Sequence, residues 1–225
     1  MKQPNTAMNP TQRMVCTVLA AAALAAGLSA CAPLIVGGAV VGGVMAVDRR
    51  TAGTQIEDEG IELRAANRIR ETLGERVHVN VTSYNRQALL TGEVANAQDR
   101  QTVEQLVSQV DNVRSVVNDL AVTTFSSTLS QRSNDTFITG KVRASLVDAQ
   151  DISANSFKVV TERNIVYLMG RVSQREANRA TDIARGVSGV SKVVRVFEIV
   201  SEDEVRRIAP QPAPVTTDNI KPSGN

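Results

Sequence analysis

The sequence predicts an α+β protein of two tandem αββαβ units, each with two helices on a three-stranded mixed sheet. The first observation is an internal repeat. Leu89-Leu90-Thr91-Gly92-Glu93-Val94 lines up with Tyr167-Leu168-Met169-Gly170-Arg171-Val172 at an offset of 78. Val110-Asp111-Asn112-Val113 lines up with Val187-Ser188-Gly189-Val190 at 77, as do Ile61 and Ile69 with Ile138 and Leu146. The second is a change of hydrophobic period inside each repeat. Ile61, Ala65 and Ile69, like Ile138, Val142 and Leu146, recur at helical spacing, and Val77, Val79 and Val81 then alternate as in a strand. The third is a capping box, Ser173-Gln174-Arg175-Glu176, opening a stripe of Ala177, Ala180, Ile183, Ala184 and Val187.

The 225-residue chain starts with Lys2 and Arg13 and no acidic residue, then runs apolar from Met14 to Leu28. That run is too short to cross a bilayer. It ends Leu28-Ser29-Ala30-Cys31. A basic start, a short apolar stretch and small residues before a cut describe a secretory signal over residues 1–30. With cysteine at the cut, it resembles a bacterial lipobox, which implies acyl chains on Cys31. Each buried methylene contributes about 0.8 kcal/mol, so several chains on one residue anchor firmly. In such lipoproteins Asp after the cysteine marks inner-membrane retention, so Ala32 points to the outer membrane. The remaining 195 residues carry 23 basic and 23 acidic side chains. Cys31 is then the single cysteine, which excludes disulfides and thiol chemistry.

Residues 31–56 are expected to be a tether. Its stretch Leu34 to Val47 is apolar and holds Gly37, Gly38, Gly42 and Gly43. It is either a membrane-surface segment beside the lipid or a connector packed on the folded part. The first unit follows over 57–122. Its helical stripe leads to the valine strand, a tight turn at Asn85-Arg86, a second strand ending at Gly92, a second helix and a last strand at Ser115–Val122. A Ser/Thr-rich stretch over 123–133 reads as a linker. The second unit, 134–200, repeats the order. Phe157, Val159 and Thr161 alternate, Arg163-Asn164 makes the turn, and the last strand is Lys192–Val200. Residues 201–225, rich in Pro, Asn, Thr and Ser, are expected to be a disordered tail. Units of about 65 residues are marginal alone.

Long segments carry a family resemblance. VVTERNIVYLMGRVSQREANRATDIARGVSGVSKVVRVF and VNVTSYNRQALLTGEVANAQDRQTVEQLVSQVDNVRSVVNDL resemble the BON domain. With the lipobox, Arg50-Thr51-Ala52-Gly53-Thr54-Gln55 and Ser133-Asn134-Asp135-Thr136, residues 14–200 resemble dual BON-domain outer-membrane lipoproteins. The resemblance implies a lipid-anchored protein on the periplasmic face, a part in outer-membrane integrity and cell division, and anionic phospholipid binding through the second domain.

Two residues are candidates for that binding. Phe137 precedes the stripe residue Ile138, so both cannot point squarely into the core, and Phe137, Gly140, Lys141 and Ala144 share a face. An aromatic beside a lysine suits a headgroup boundary, with Lys141 on phosphate. The alternative packs Phe137 against the first unit or the linker. The resembled family carries Trp here; Phe lacks the indole N–H, so weaker docking is expected. Charge ranks the units the same way. The first has 7 basic and 11 acidic residues, while residues 133–200 have 10 and 7. Anionic lipid attracts the second.

Other function classes are disfavoured. His78 is the lone histidine, expected on a strand surface or half-buried, so no triad or zinc cluster assembles. The glycine pairs lack the Lys-Ser/Thr of a phosphate loop. No enzyme, cofactor or metal is expected, and zero mature charge with export argues against nucleic acid. The competing class is an envelope or division-protein adaptor. It would use exposed strand edges or Tyr84, with Cys31 the single membrane contact.

Overall fold

The computed structural model describes residues 48–209; the lipobox, Cys31, the apolar tether segment and residues 210–225 lie outside them. Helix α1 (Ala52–Leu73) starts where Thr51 accepts the Thr54 N–H and stops at Gly74, whose φ is 59°. Its stripe Ile61, Ala65, Ile69 and Leu73 is buried. The helix therefore begins five residues before the expected unit boundary, inside the stretch read as tether. The Thr51 cap supplies the reason: it satisfies a free first-turn amide ahead of the apolar stripe.

Strands β1 (His78–Tyr84) and β2 (Gln87–Val94) form an antiparallel hairpin. Its turn residues Asn85 and Arg86 both take positive φ, 51° and 65°. Such turns match the right-handed twist of the strands. Helix α2 (Ala97–Ser108), capped by Asn96, crosses back over the sheet. The last strand is interrupted. It splits into β3 (Ser115–Asn118) and β4 (Ala121–Val122), both parallel to β2. The first unit thus has four short strands where three were expected, because Asp119 and Leu120 leave the ladder.

The second unit repeats the plan. Helix α3 (Leu129–Asp148) is followed by β5 (Lys158–Glu162), β6 (Ile165–Val172), α4 (Gln174–Arg185) and β7 (Lys192–Ile199). Its order is β5-β6-β7, with β7 parallel to β6 along all eight residues. The β5–β6 turn uses Arg163 and Asn164 at φ 52° and 61°. Ser173 and Glu176 form the expected capping box on α4. Two boundaries differ from the sequence reading. Helix α3 starts at Leu129, within the stretch read as linker, because Thr128 and Gln131 form a second capping box. A short helix α5 (Glu202–Ile208) stands within the stretch read as disordered tail. Ser201 caps it, three acids fill its first turn, and Arg206 and Arg207 fill its last. That charge order complements the helix dipole.

Each sheet buries one face under its own helices. Ile138, Val142, Leu146, Leu168, Val172, Ala177, Ala180 and Ala184 are the heart of the second core. Ala65, Ile69, Leu90, Val94, Val103 and Val107 form the first. The opposite faces meet each other. Tyr84 and Leu89 pack with Tyr167, Met169 and Val196. The sheets thus share a third apolar cluster, and both units belong to one body.

Candidate membrane-binding site

Helix α3 turns Ile138, Val142 and Leu146 inward, so its remaining residues face out. Phe137 is 65% exposed. Leu129 and Val147, one near each end of the helix, are 81% and 68% exposed. Gly140 and Ala144 lie exposed between them. Leu129, Gly140 and Val147 fall on one line at helical period, with Phe137 and Ala144 beside it. The stripe runs roughly 27 Å along the axis. Arg132 and Arg143 flank it on one side, both exposed. Only two acids occur on α3. Asp135 is buried and accepts the N–H groups of Arg163 and Asn164, each at 2.8 Å. Asp148 is the last residue. No carboxylate therefore interrupts the outward face between Leu129 and Val147.

Lys141 lies on the other flank. Its ammonium sits 4.9 Å from the centre of the Phe137 ring and donates to the Ser188 carbonyl. An ammonium has three donors, so the remaining two are free for phosphate oxygens. The loop that holds it is tight. A side chain on Gly189, at φ 97°, would come within 3.1 Å of Ile138. Phe137 and Lys141 are thus brought together as expected from their spacing. Leu129, Val147, Arg132 and Arg143 were missed. The Thr128-Leu129-Ser130-Gln131 capping signature would have extended the helix back to include Leu129 and Arg132.

A second polar cluster lies where β1, β2 and β5 converge. Glu93 is 3% exposed. Its Oε1 accepts the Ser127 N–H at 3.3 Å and the Ser127 hydroxyl, and Arg163 lies 3.6 Å away. Its Oε2 faces His78 Nδ1 at 3.4 Å, and neither atom has a hydrogen-bond partner among the described residues. Burial pushes the neighbouring Glu162 carboxyl above its ordinary range; Asn80 opposes this by donating to it at 2.9 Å, and the Glu93 charge reinforces it. His78 is half-buried, as expected. Among the described residues, no group of three ligating side chains is placed to hold a metal. Tyr84, the expected contact residue of an adaptor, is buried in the seam under the Arg50 guanidinium at 4.2 Å.

No helix among the described residues is long and apolar enough to cross a membrane. Residues 58–124 and 134–201 each match the BON domain. The chain is 36% identical over 173 residues to the outer membrane lipoprotein DolP of Haemophilus influenzae, covering 76% of this chain and 89% of that protein. It is 33% identical over 156 residues to the 21 kDa hemolysin of Actinobacillus pleuropneumoniae, covering 68% and 80%. It is 37% identical over 91 residues to the osmotically-inducible protein Y of Escherichia coli, covering 39% and 44%.

Proposed function

Because the chain belongs to the BON-domain family, as a dual-domain outer-membrane lipoprotein of the DolP type, we propose that its second domain docks on anionic phospholipid through the outward face of α3. Cys31 supplies the covalent anchor in this reading, and α3 supplies recognition. The observation that carries it is the apolar stripe of Leu129, Phe137 and Val147 between cationic flanks, with the one exposed carboxylate of α3, Asp148, confined to its last residue. Apolar side chains enter the acyl boundary, while Arg132, Lys141 and Arg143 meet phosphate, each well-placed cation contributing about 1 kcal/mol. The role is non-enzymatic. It serves outer-membrane integrity and cell division from the periplasmic face.

The test is co-sedimentation of residues 32–225, without the lipid anchor, on phosphatidylcholine or phosphatidylglycerol vesicles. Binding is expected on the anionic vesicles alone. Raising salt from about 0.1 to 1 M shortens the screening length from roughly 10 to 3 Å and should weaken it. Phe137→Glu should weaken it independently by removing an apolar anchor. Equal failure on both vesicles would leave Cys31 as the sole membrane contact and favour the adaptor reading.

A further inference from the structure

The last strand of each unit lies at a sheet edge, and the two units treat that edge differently. In the first unit the strand is broken between β3 and β4. The Asp119 N–H donates inward to Leu90, so Asn118 and Leu120 turn their backbone groups outward. Both are occupied. The Asn118 carbonyl accepts the Arg100 guanidinium at 2.8 Å, and the Leu120 N–H donates to Asn118 Oδ1 at 3.2 Å. Side chains have closed the middle of this edge.

The second unit leaves it open. Strand β7 runs unbroken for eight residues and pairs with β6 alone. The Val200 N–H donates to the Val172 carbonyl at 3.0 Å. By alternation, Val193, Arg195, Phe197 and Ile199 direct their N–H and C=O groups away from the sheet. No side chain among the described residues caps these four. A long open edge is a template for another strand.

A groove runs beside it. Gln174 and Ala177 of α4 face Arg195, Phe197 and Ile199 across a space of about 280 Å³. Its floor is firm, since Phe197 packs edge-on against Phe157 with centroids 5.9 Å apart. Ile199 is 49% exposed. No acid lines the groove, and neither Lys192 nor Arg195 has a carboxylate within salt-bridge distance among the described residues. Arg195 reaches only Asn178 Oδ1, at 3.4 Å.

We propose that β7 is a strand-addition site for an extended, acidic segment of a partner protein. The segment's backbone pairs with Val193, Arg195, Phe197 and Ile199. One apolar side chain enters the groove over Ala177 and Phe197, and a neighbouring carboxylate meets Arg195. Main-chain bonds supply affinity, and the groove supplies selectivity. A second copy of β7 centred on the groove fits less well, because it would set Arg195 directly against its own like charge.

The test uses the unlipidated chain labelled with ¹⁵N, and a capped seven-residue peptide of alternating valine and glutamate. Amide shifts and slowed hydrogen exchange are expected along β7 and at Ala177, not along β3 or α3. A valine–lysine peptide should bind about tenfold more weakly. Arg195→Glu should reverse that preference while leaving the edge in place. Arg195→Pro, which removes an outward N–H and leaves the β6 ladder intact, should abolish both. Absence of any β7 response at millimolar peptide overturns the proposal. So does a concentration-dependent dimer that forms through β7 without peptide.

Discussion

Arg49 has almost no exposed surface, so its partners decide what it contributes. Its guanidinium meets both Glu176 oxygens, at 2.7 and 2.8 Å, and the Arg171 carbonyl at 3.0 Å. Its neighbour Arg50 reaches the other unit, pairing with Asp58 at 2.7 Å and stacking on Tyr84. Residues 48–50 thus tie the base of the tether to both units. Glu176 is engaged twice, since it also accepts the Ser173 N–H of the capping box. Burial pushes its carboxyl up, but the Arg49 hydrogen bonds and the Ser173 N–H outweigh burial and hold it below the ordinary range. Removing one partner of a buried pair strands the other. Arg49→Ala should therefore cost about 3–5 kcal/mol in urea denaturation. Arg49→Met combined with Glu176→Gln should recover most of that loss, because the cap acceptor remains and no buried charge is left alone. A double variant as unstable as Arg49→Ala would show that the pair does not account for the loss.

At the scale of elements, starts are set by caps more than by apolar stripes. Thr128→Ala should cost about 1 kcal/mol. It should also fray the first turn of α3, lowering anionic-vesicle binding through Leu129 while leaving the second core intact by near-ultraviolet circular dichroism. Unchanged binding with a frayed first turn would remove Leu129 from the docking face. The αββαβ order and both hairpin turns were legible, because period changes and the repeat reinforced one another. The start of α3 was not, since Leu129 to Asn134 are all exposed and show no stripe. Helix α5 buries only Val205, so the polar composition around it hid its Ser201 cap. That Phe137 and Lys141 share an outward face of α3 was legible from spacing, while their reading as a lipid contact leaned on the family resemblance. The break between β3 and β4 was not, because it depends on where the Asn118 side chain goes. A clue to the seam was present but unread: β2 and β6 are apolar on both faces, as strands buried on two sides are.

At the scale of the molecule, the seam joins two marginal units, and its polar rim makes that union depend on pH. Lys158 bridges to Glu62 at 2.7 Å, and Glu198 accepts from Arg114 at 2.8 Å and Asn85 at 2.6 Å. Burial pushes Asp58, Glu176 and Glu198 up, but their donors outweigh burial and hold all three below the carboxylate range. A lowered folded-state value gives stability above the unfolded value, near pH 4, that is lost as pH falls through the folded value. Glu162 has the opposite sign, raised first by burial. It favours the folded state once protonated, and that gain is lost as pH rises through its folded value. The melting temperature should therefore rise as pH falls through the Glu162 titration towards the ordinary carboxylate value, then fall below about pH 4. Glu162→Gln should flatten the upper limb and raise the neutral melting temperature, leaving the acid limb in place. Met169→Glu, which puts a charge into the apolar seam, should separate one cooperative transition into two while each helix-covered core survives. If calorimetry still gave a single transition, the two units would be coupled through the Arg49–Arg50 strap rather than through the sheets.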